Sequence, residues 1–284
     1  MTLGVGNVVH RWDLAVGKLL GFDDPSGGPF ATTRAGAVAA LPERLFARCD
    51  GKTVGIFRVD DGARVRELPP ARLPCGWLFA SPDGRTLFVT STKGSIDIVD
   101  STTGETRRAL NVSDGYTRIV ASPDGKAAFT LDNANNAFVW DLGSGEKRSL
   151  GRPTFVSDAA FSPDGTELVT LGRPSDKAFV KVLALSDLTE RARLGVPPLT
   201  RALVYPGGDG GHLAIGGGAS GNGYLHFVSR EPLALGDRFA LPSPPEPIHA
   251  AATAPVVVTV SYEGFIRVFD ARTGLLGGTI VPVK

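Results

Sequence analysis

"RIVASPDGKAAFT" (residues 118–130) is written almost twice more in the chain, as "LFASPDGRTLFVT" (78–90) and "AAFSPDGTELVTL" (159–171). In the shared Ser-Pro-Asp-Gly, Pro pre-sets φ for the second turn position. Ser and Asp can bond nearby backbone N–H groups, and Gly accepts a conformation hostile to other residues. The phrase therefore predicts a tight turn joining two antiparallel strands. Its flanks, such as "TLFVTS" and "ELVTLG", are strand-length and rich in β-branched and aromatic types.

Aligned on the serine, the copies place Ser81, Ser122 and Ser162 in one register, 41 and 40 residues apart. Weaker copies, "VAALPERLF", "LVYPGGDGGHLAI" and "AAATAPVVVTV", put Leu41, Tyr205 and Thr253 in the same register. A second phrase runs in step with the first: a short alternating strand, an Asp, and a turn ending in Gly. It reads "SIDIVDSTTGE" (95–105), "AFVWDLGSGE" (137–146) and "FIRVFDARTG" (265–274). Its column is Asp13, Asp60, Asp100, Asp141, Ala184, Ser229 and Asp270, seven copies at a mean spacing of about 43. Each period then holds about four strands. A four-stranded sheet of this size cannot bury both faces alone, so the units must stack, in a row or in a closed ring.

This period, the Ser-Pro-Asp-Gly turn and the pairs Trp12–Asp13 and Trp140–Asp141 resemble the WD40 β-propeller family, in a degenerate, bacterial style, over essentially the whole chain. The resemblance implies an all-β, seven-bladed propeller of four-stranded antiparallel blades in a single domain, residues 1–284. The expected blades are about 1–22, 34–70, 74–110, 115–151, 155–195, 199–241 and 247–284. The Gly-His pair that usually opens a repeat in that family is missing here, which puts its Asp-His-Ser-Trp network in doubt and leaves blade stability mainly to apolar packing. The first unit begins too late for its own innermost strand. Either blade one is three-stranded or the chain is the C-terminal part of a longer one, the reading favoured, with imperfect closure between the first and last blades.

Composition bounds the function. With 42% hydrophobic and 21% charged residues the chain forms a core, and 30 basic against 29 acidic residues give a formal charge of +1. No global field attracts phosphate backbones or anionic lipid, so neither nucleic acid nor membrane is an expected partner. The start, "MTLGVGNVVHRWDLAVGK", has no signal-peptide pattern, and no run approaches a membrane span in length, so a cytoplasmic location is expected. Cys49 and Cys75 have no spacing that suggests a disulfide framework or a zinc site, and both read as buried thiols.

No catalytic motif survives inspection. "CDGKT" (49–53) has Phe46 where a phosphate loop needs its first Gly, and "GGGASGNG" (216–223), with Ser220, reads as a long loop between strands. His10, His212, His226 and His249 fall in different units without ligand spacing, so no metal and no cofactor is expected. One column differs: four residues before the serine register stand Ala37, Trp77, Arg118, Asp158, Arg201 and His249. These types suit recognition, although they are also what the first solvated residue of a strand would be. Loops nearby add Tyr116, Phe155 and Glu246 before strand a, and Lys93 and Tyr262 between strands b and c.

In the resembling family strand a lies nearest the central channel, and this end of the ring is the usual docking face. Its bacterial members often accompany kinases, transcription regulators or proteases as appended domains. The resemblance therefore implies a non-catalytic scaffold that binds a protein or peptide at the channel mouth through Trp77, Arg118, Asp158, Arg201, His249, Tyr116, Lys93 and Tyr262. The alternative is a lactonase-like or quinoprotein-like propeller enzyme acting on a small molecule, with Asp158 as a carboxylate and His249 as a base.

Overall fold

The computed structural model describes residues 2–3, 9–13, 18–23, 38–49, 53–68, 75–81, 83–91, 95–111, 116–150, 156–172, 177–207, 212–245, 248–250, 254–261 and 265–280. The first sheet is β1 (Thr2–Leu3), β2 (Val9–Asp13) and β3 (Lys18–Asp23). Four-stranded sheets follow in chain order. They are β4 (Val38–Leu41), β5 (Leu45–Cys49), β6 (Val54–Arg58) and β7 (Arg64–Leu68), then β8 (Cys75–Ala80), β9 (Thr86–Ser91), β10 (Ser95–Asp100) and β11 (Thr106–Asn111). Next come β12 (Tyr116–Ala121), β13 (Ala127–Asp132), β14 (Ala137–Asp141) and β15 (Lys147–Ser149), and β16 (Val156–Phe161), β17 (Glu167–Gly172), β18 (Ala178–Ala184) and β19 (Glu190–Val196). The last two sheets are β20 (Thr200–Val204), β21 (His212–Ala219), β22 (Asn222–Arg230) and β23 (Leu233–Leu241), and β24 (Ile248–Ala250), β25 (Val256–Val260), β26 (Ile266–Asp270) and β27 (Leu276–Ile280).

Every four-stranded sheet keeps sequence order, so each is an antiparallel meander whose strands are a to d. The expected count of seven blades is corrected to six, and each blade carries the number of its sheet in chain order, the second to the seventh. Six sheets have four strands, while the described residues supply the first sheet with β1, β2 and β3 alone and with no innermost strand. Two compact units divide the chain, residues 1–134 with 139–148 and residues 135–138 with 149–284.

The repeated phrase works as its residue types require. Ser122 Oγ donates to Asp124 Oδ1 at 2.7 Å and accepts from the Ala127 amide at 2.8 Å, while Asp124 Oδ1 also accepts from the Lys126 amide at 3.1 Å. The Gly125 amide closes the turn on the Ser122 carbonyl at 3.0 Å, with φ at 67°. Ser81 with Asp83 and Ser162 with Asp164 repeat the pattern. The second phrase is equally local: Asp141 Oδ1 accepts the Ser144 amide at 2.7 Å, and the Gly145 amide bonds the Asp141 carbonyl at 2.8 Å.

These turns set a pH dependence. Burial works to raise the Asp124 and Asp164 carboxyls, but the hydroxyls and amides they accept from hold both below the ordinary value. Asp141 is lowered mainly by the Ser144 amide, and the Arg272 guanidinium brings Asp270 down to about 2. Folded values below unfolded ones give stability that is present above about pH 4 and lost as pH falls towards about 2. Melting temperatures followed from pH 6 to 2 should therefore drop mainly below about pH 4, and the drop should shrink in Asp124→Asn and Asp164→Asn. A flat profile across that window contradicts the account.

The core lies between successive blades. In one unit Ala47, Val54 and Ile56 of the second blade pack with Leu78, Leu87 and Val89 of the third. In the other, Val169, Leu171, Val180 and Val182 pack with Leu203, Leu213, Ile215 and Val228. Polar clasps join the outer edges. The Arg66 guanidinium donates to the Ser101 and Thr102 carbonyls, and Arg108 donates to the Gly143 and Ser144 carbonyls at 2.6 and 3.0 Å. In the other unit a half-buried Glu167–Arg230 pair spans the fifth and sixth blades.

Three expectations change here. Trp140 Nε1 donates to Thr130 Oγ1 at 2.8 Å, both side chains buried, so the fourth blade has a buried polar link between strands b and c beside its apolar packing. The run at 216–223 is a hairpin rather than a long loop, with Gly216–Ala219 ending β21 and Asn222 and Gly223 opening β22. Its glycines permit close backbone approach: a Cβ on Gly217 would overlap the Leu199 carbonyl oxygen, and one on Gly223 the Ser243 carbonyl oxygen. Cys49, finally, is disulfide-bonded rather than a thiol.

Candidate functional site

Strands a of successive blades are neighbours within each unit: β4 beside β8 and β8 beside β12 in one, β16 beside β20 and β20 beside β24 in the other. Four of these strands share a feature at their starts. The pairing with strand b slips between Cys75 and Leu78, between Tyr116 and Arg118, between Val156 and Asp158, and between Thr200 and Ala202. A bulge adds a residue, kinks the strand and re-aims the side chains around it. The same end of these four blades therefore carries a built irregularity at the height of the candidate column.

The pairing also resets that column. Ala159, Leu203 and Ile248 stand opposite Thr170, Ile215 and Thr259, which in turn pair with Lys181, His226 and Arg267, each three residues before the Asp-column position of its blade. Asp158 is then level with Arg118 and Trp77, but the sixth blade places Ala202 there. Arg201 is the extra residue of its bulge, as Ser157 and Thr117 are of theirs. His249 lies two positions further along its strand than the serine register implied.

Asp158 is 4% exposed, and its carboxylate is engaged inside the unit. Oδ1 accepts the Ala159 amide at 2.9 Å, and Oδ2 accepts the Leu203 amide of the next blade at 2.8 Å. β20 is an edge strand of its sheet, so an amide on its outer edge has no ladder partner, and the Asp158 carboxylate fills that role. Arg201 and His249 are exposed, and Arg118 is half-buried. Trp77 lies on β8 and Tyr116 on β12. Lys93, Tyr262, Ala37, Phe155 and Glu246 lie outside the described residues.

Asp158 sits on β16 and His249 on β24, with β20 neighbouring each, and both Asp158 oxygens accept backbone amides. Among the described residues no group of three or more His, Cys, Asp or Glu is placed to hold a metal ion. None of their helices is long and apolar enough to cross a membrane. The bulges were missed because they are visible only in the pairing.

No protein-family model matches the chain, and no curated protein matches it in sequence. Among solved structures it is similar to one titled "Kuenenia stuttgartiensis Hydrazine Synthase", at 16% identity and a TM-score of 0.67, with 88% of each chain covered. At that identity the likeness carries the fold and not the activity. With the six four-stranded antiparallel meanders it shows a β-propeller.

Proposed function

We propose that the chain is a non-catalytic interaction module that docks a protein or peptide at the bulged openings of its first strands, the end that serves docking in the WD40 proteins its repeats resemble. The observation that carries the reading is Arg201. A bulge turns this arginine out of a strand whose next residues are half-buried or buried, and leaves it exposed beside the strand that bears exposed His249. An arginine held out on a rigid sheet suits bidentate capture of carboxylate, so the partner segment is acidic. Asp158 supports this surface from behind by fixing β20 through the Leu203 amide. No cofactor is needed for such a role.

Capture from the source organism's lysate tests the reading, comparing wild type with Arg201→Glu/His249→Glu and quantifying retained proteins by mass spectrometry. The variant should lose at least about tenfold of a specifically retained protein, with loss on the order of one strong charge-assisted contact, while its melting temperature stays within about 1 °C because both side chains are exposed. Acidic peptides from the retained protein should bind wild type, and their amidated versions should not. Equal retention by the folded variant removes this surface from the account.

A further inference from the structure

Cys49 closes β5, strand b of the second blade, with 1% of its surface exposed, and it is disulfide-bonded. The chain has two cysteines and Cys49 is bonded, so its partner is Cys75, the first residue of β8. β8 is strand a of the third blade and lies beside both β4 and β5. The bond therefore ties one blade to the next, at the end of β8 where the strand slips before Leu78. The two cysteines are 26 positions apart, and β6 and β7 lie between them.

We propose that Cys49–Cys75 is a structural disulfide and that the protein folds and works where thiols are oxidised, outside a reducing cytoplasm. Disulfides are rare in a reducing cytoplasm, and those that occur there are mostly catalytic or redox-sensing, which need an accessible sulfur that a thiolate can attack. Cys49 has the opposite setting: it is buried and pairs with Val54, which packs in the seam with Ala47 and Leu78. Once the blades have closed, an outside thiol or oxidant cannot reach the Cys49 sulfur to make the bond. It must therefore form before or during folding, which places that step in an oxidising compartment. The chemistry is thiol–disulfide exchange with a disulfide-bearing oxidant: the two thiols lose two protons and two electrons, the S–S bond forms, and the oxidant leaves as its dithiol. Closing a loop of this length also restricts the unfolded chain, so the bond stabilises the junction.

The test begins with protein from its native source, quenched in acid and then alkylated under denaturing conditions. Mass spectrometry should find no alkylated cysteine without reductant and two after reduction. Two alkylated cysteines in the unreduced sample overturn the proposal. Folded protein should also keep the bond in dithiothreitol and lose it in dithiothreitol plus denaturant. Rapid reduction of the folded protein counts against a structural bond. The Cys49→Ser/Cys75→Ser variant should melt at least about 5 °C below oxidised wild type, and an unchanged melting temperature overturns the structural role.

Discussion

Replacing Asp158 by alanine lowers the free energy of unfolding by about 4 kcal/mol, because two amides lose a charged acceptor in a place water does not reach. The carboxylate is 4% exposed and serves Ala159 in its own strand and Leu203 in the next blade. Each amide left without a partner costs about 1–3 kcal/mol, and hydrogen bonds to a charged group lie at the upper end of that range. Asp158→Asn separates the two bonds: an amide side chain offers one oxygen and turns its NH2 group towards the other donor, so about half of the loss is expected. Arg201→Ala, on the neighbouring strand but exposed, should change stability by less than about 0.5 kcal/mol. Urea unfolding of the three variants decides the matter. If Asp158→Ala is as stable as wild type, the carboxylate does not hold the blades together.

That contrast also shows where sequence reading stops. The turns were legible because each role is local: Ser122, Asp124 and Gly125 satisfy one another and the adjoining amides within six residues. The antiparallel four-stranded repeat followed from the same phrase. The candidate column was not legible, because it was counted back from turns that differ in length. A count from Tyr205 misses the height of Asp158 by one residue, and a count from Thr253 misses it by two. One residue is enough to turn a side chain from one face of a strand to the other, which is why Arg201 is exposed where Asp158 is buried. The glycines at 216–223 were misread for a related reason, since what they must admit is backbone from Leu199 and Ser243, elements distant in sequence from the run's own pattern. The disulfide depends on β5 and β8 being neighbours, which cysteine spacing does not encode.

Gly84→Ala should cost about 3–5 kcal/mol, the sum of a backbone penalty and a steric one. Gly84 and Gly125 occupy the same place in two copies of the Ser-Pro-Asp-Gly turn and share φ of 67°. Alanine at either position pays the left-handed penalty of about 1–2 kcal/mol. Their surroundings differ. A Cβ on Gly125 would meet only Thr86 Oγ1, at an ordinary 3.6 Å, whereas one on Gly84 would overlap Pro42 Cδ and lie 2.8 Å from Pro42 Cγ. Pro42 belongs to the a–b turn of the preceding blade, and its ring is tied to the backbone, so it cannot swing aside as a long side chain would. The difference between Gly84→Ala and Gly125→Ala therefore reports the steric cost at the blade junction alone, about 2 kcal/mol or more. Pro42→Ala removes both ring carbons and should recover most of that difference in the Gly84→Ala background while doing little for Gly125→Ala, which makes the pair a double-mutant cycle across the junction. Equal losses at the two glycines would mean that the blades meet differently there, and the turn that repeats in sequence would be a local motif with no part in seating one blade on the next.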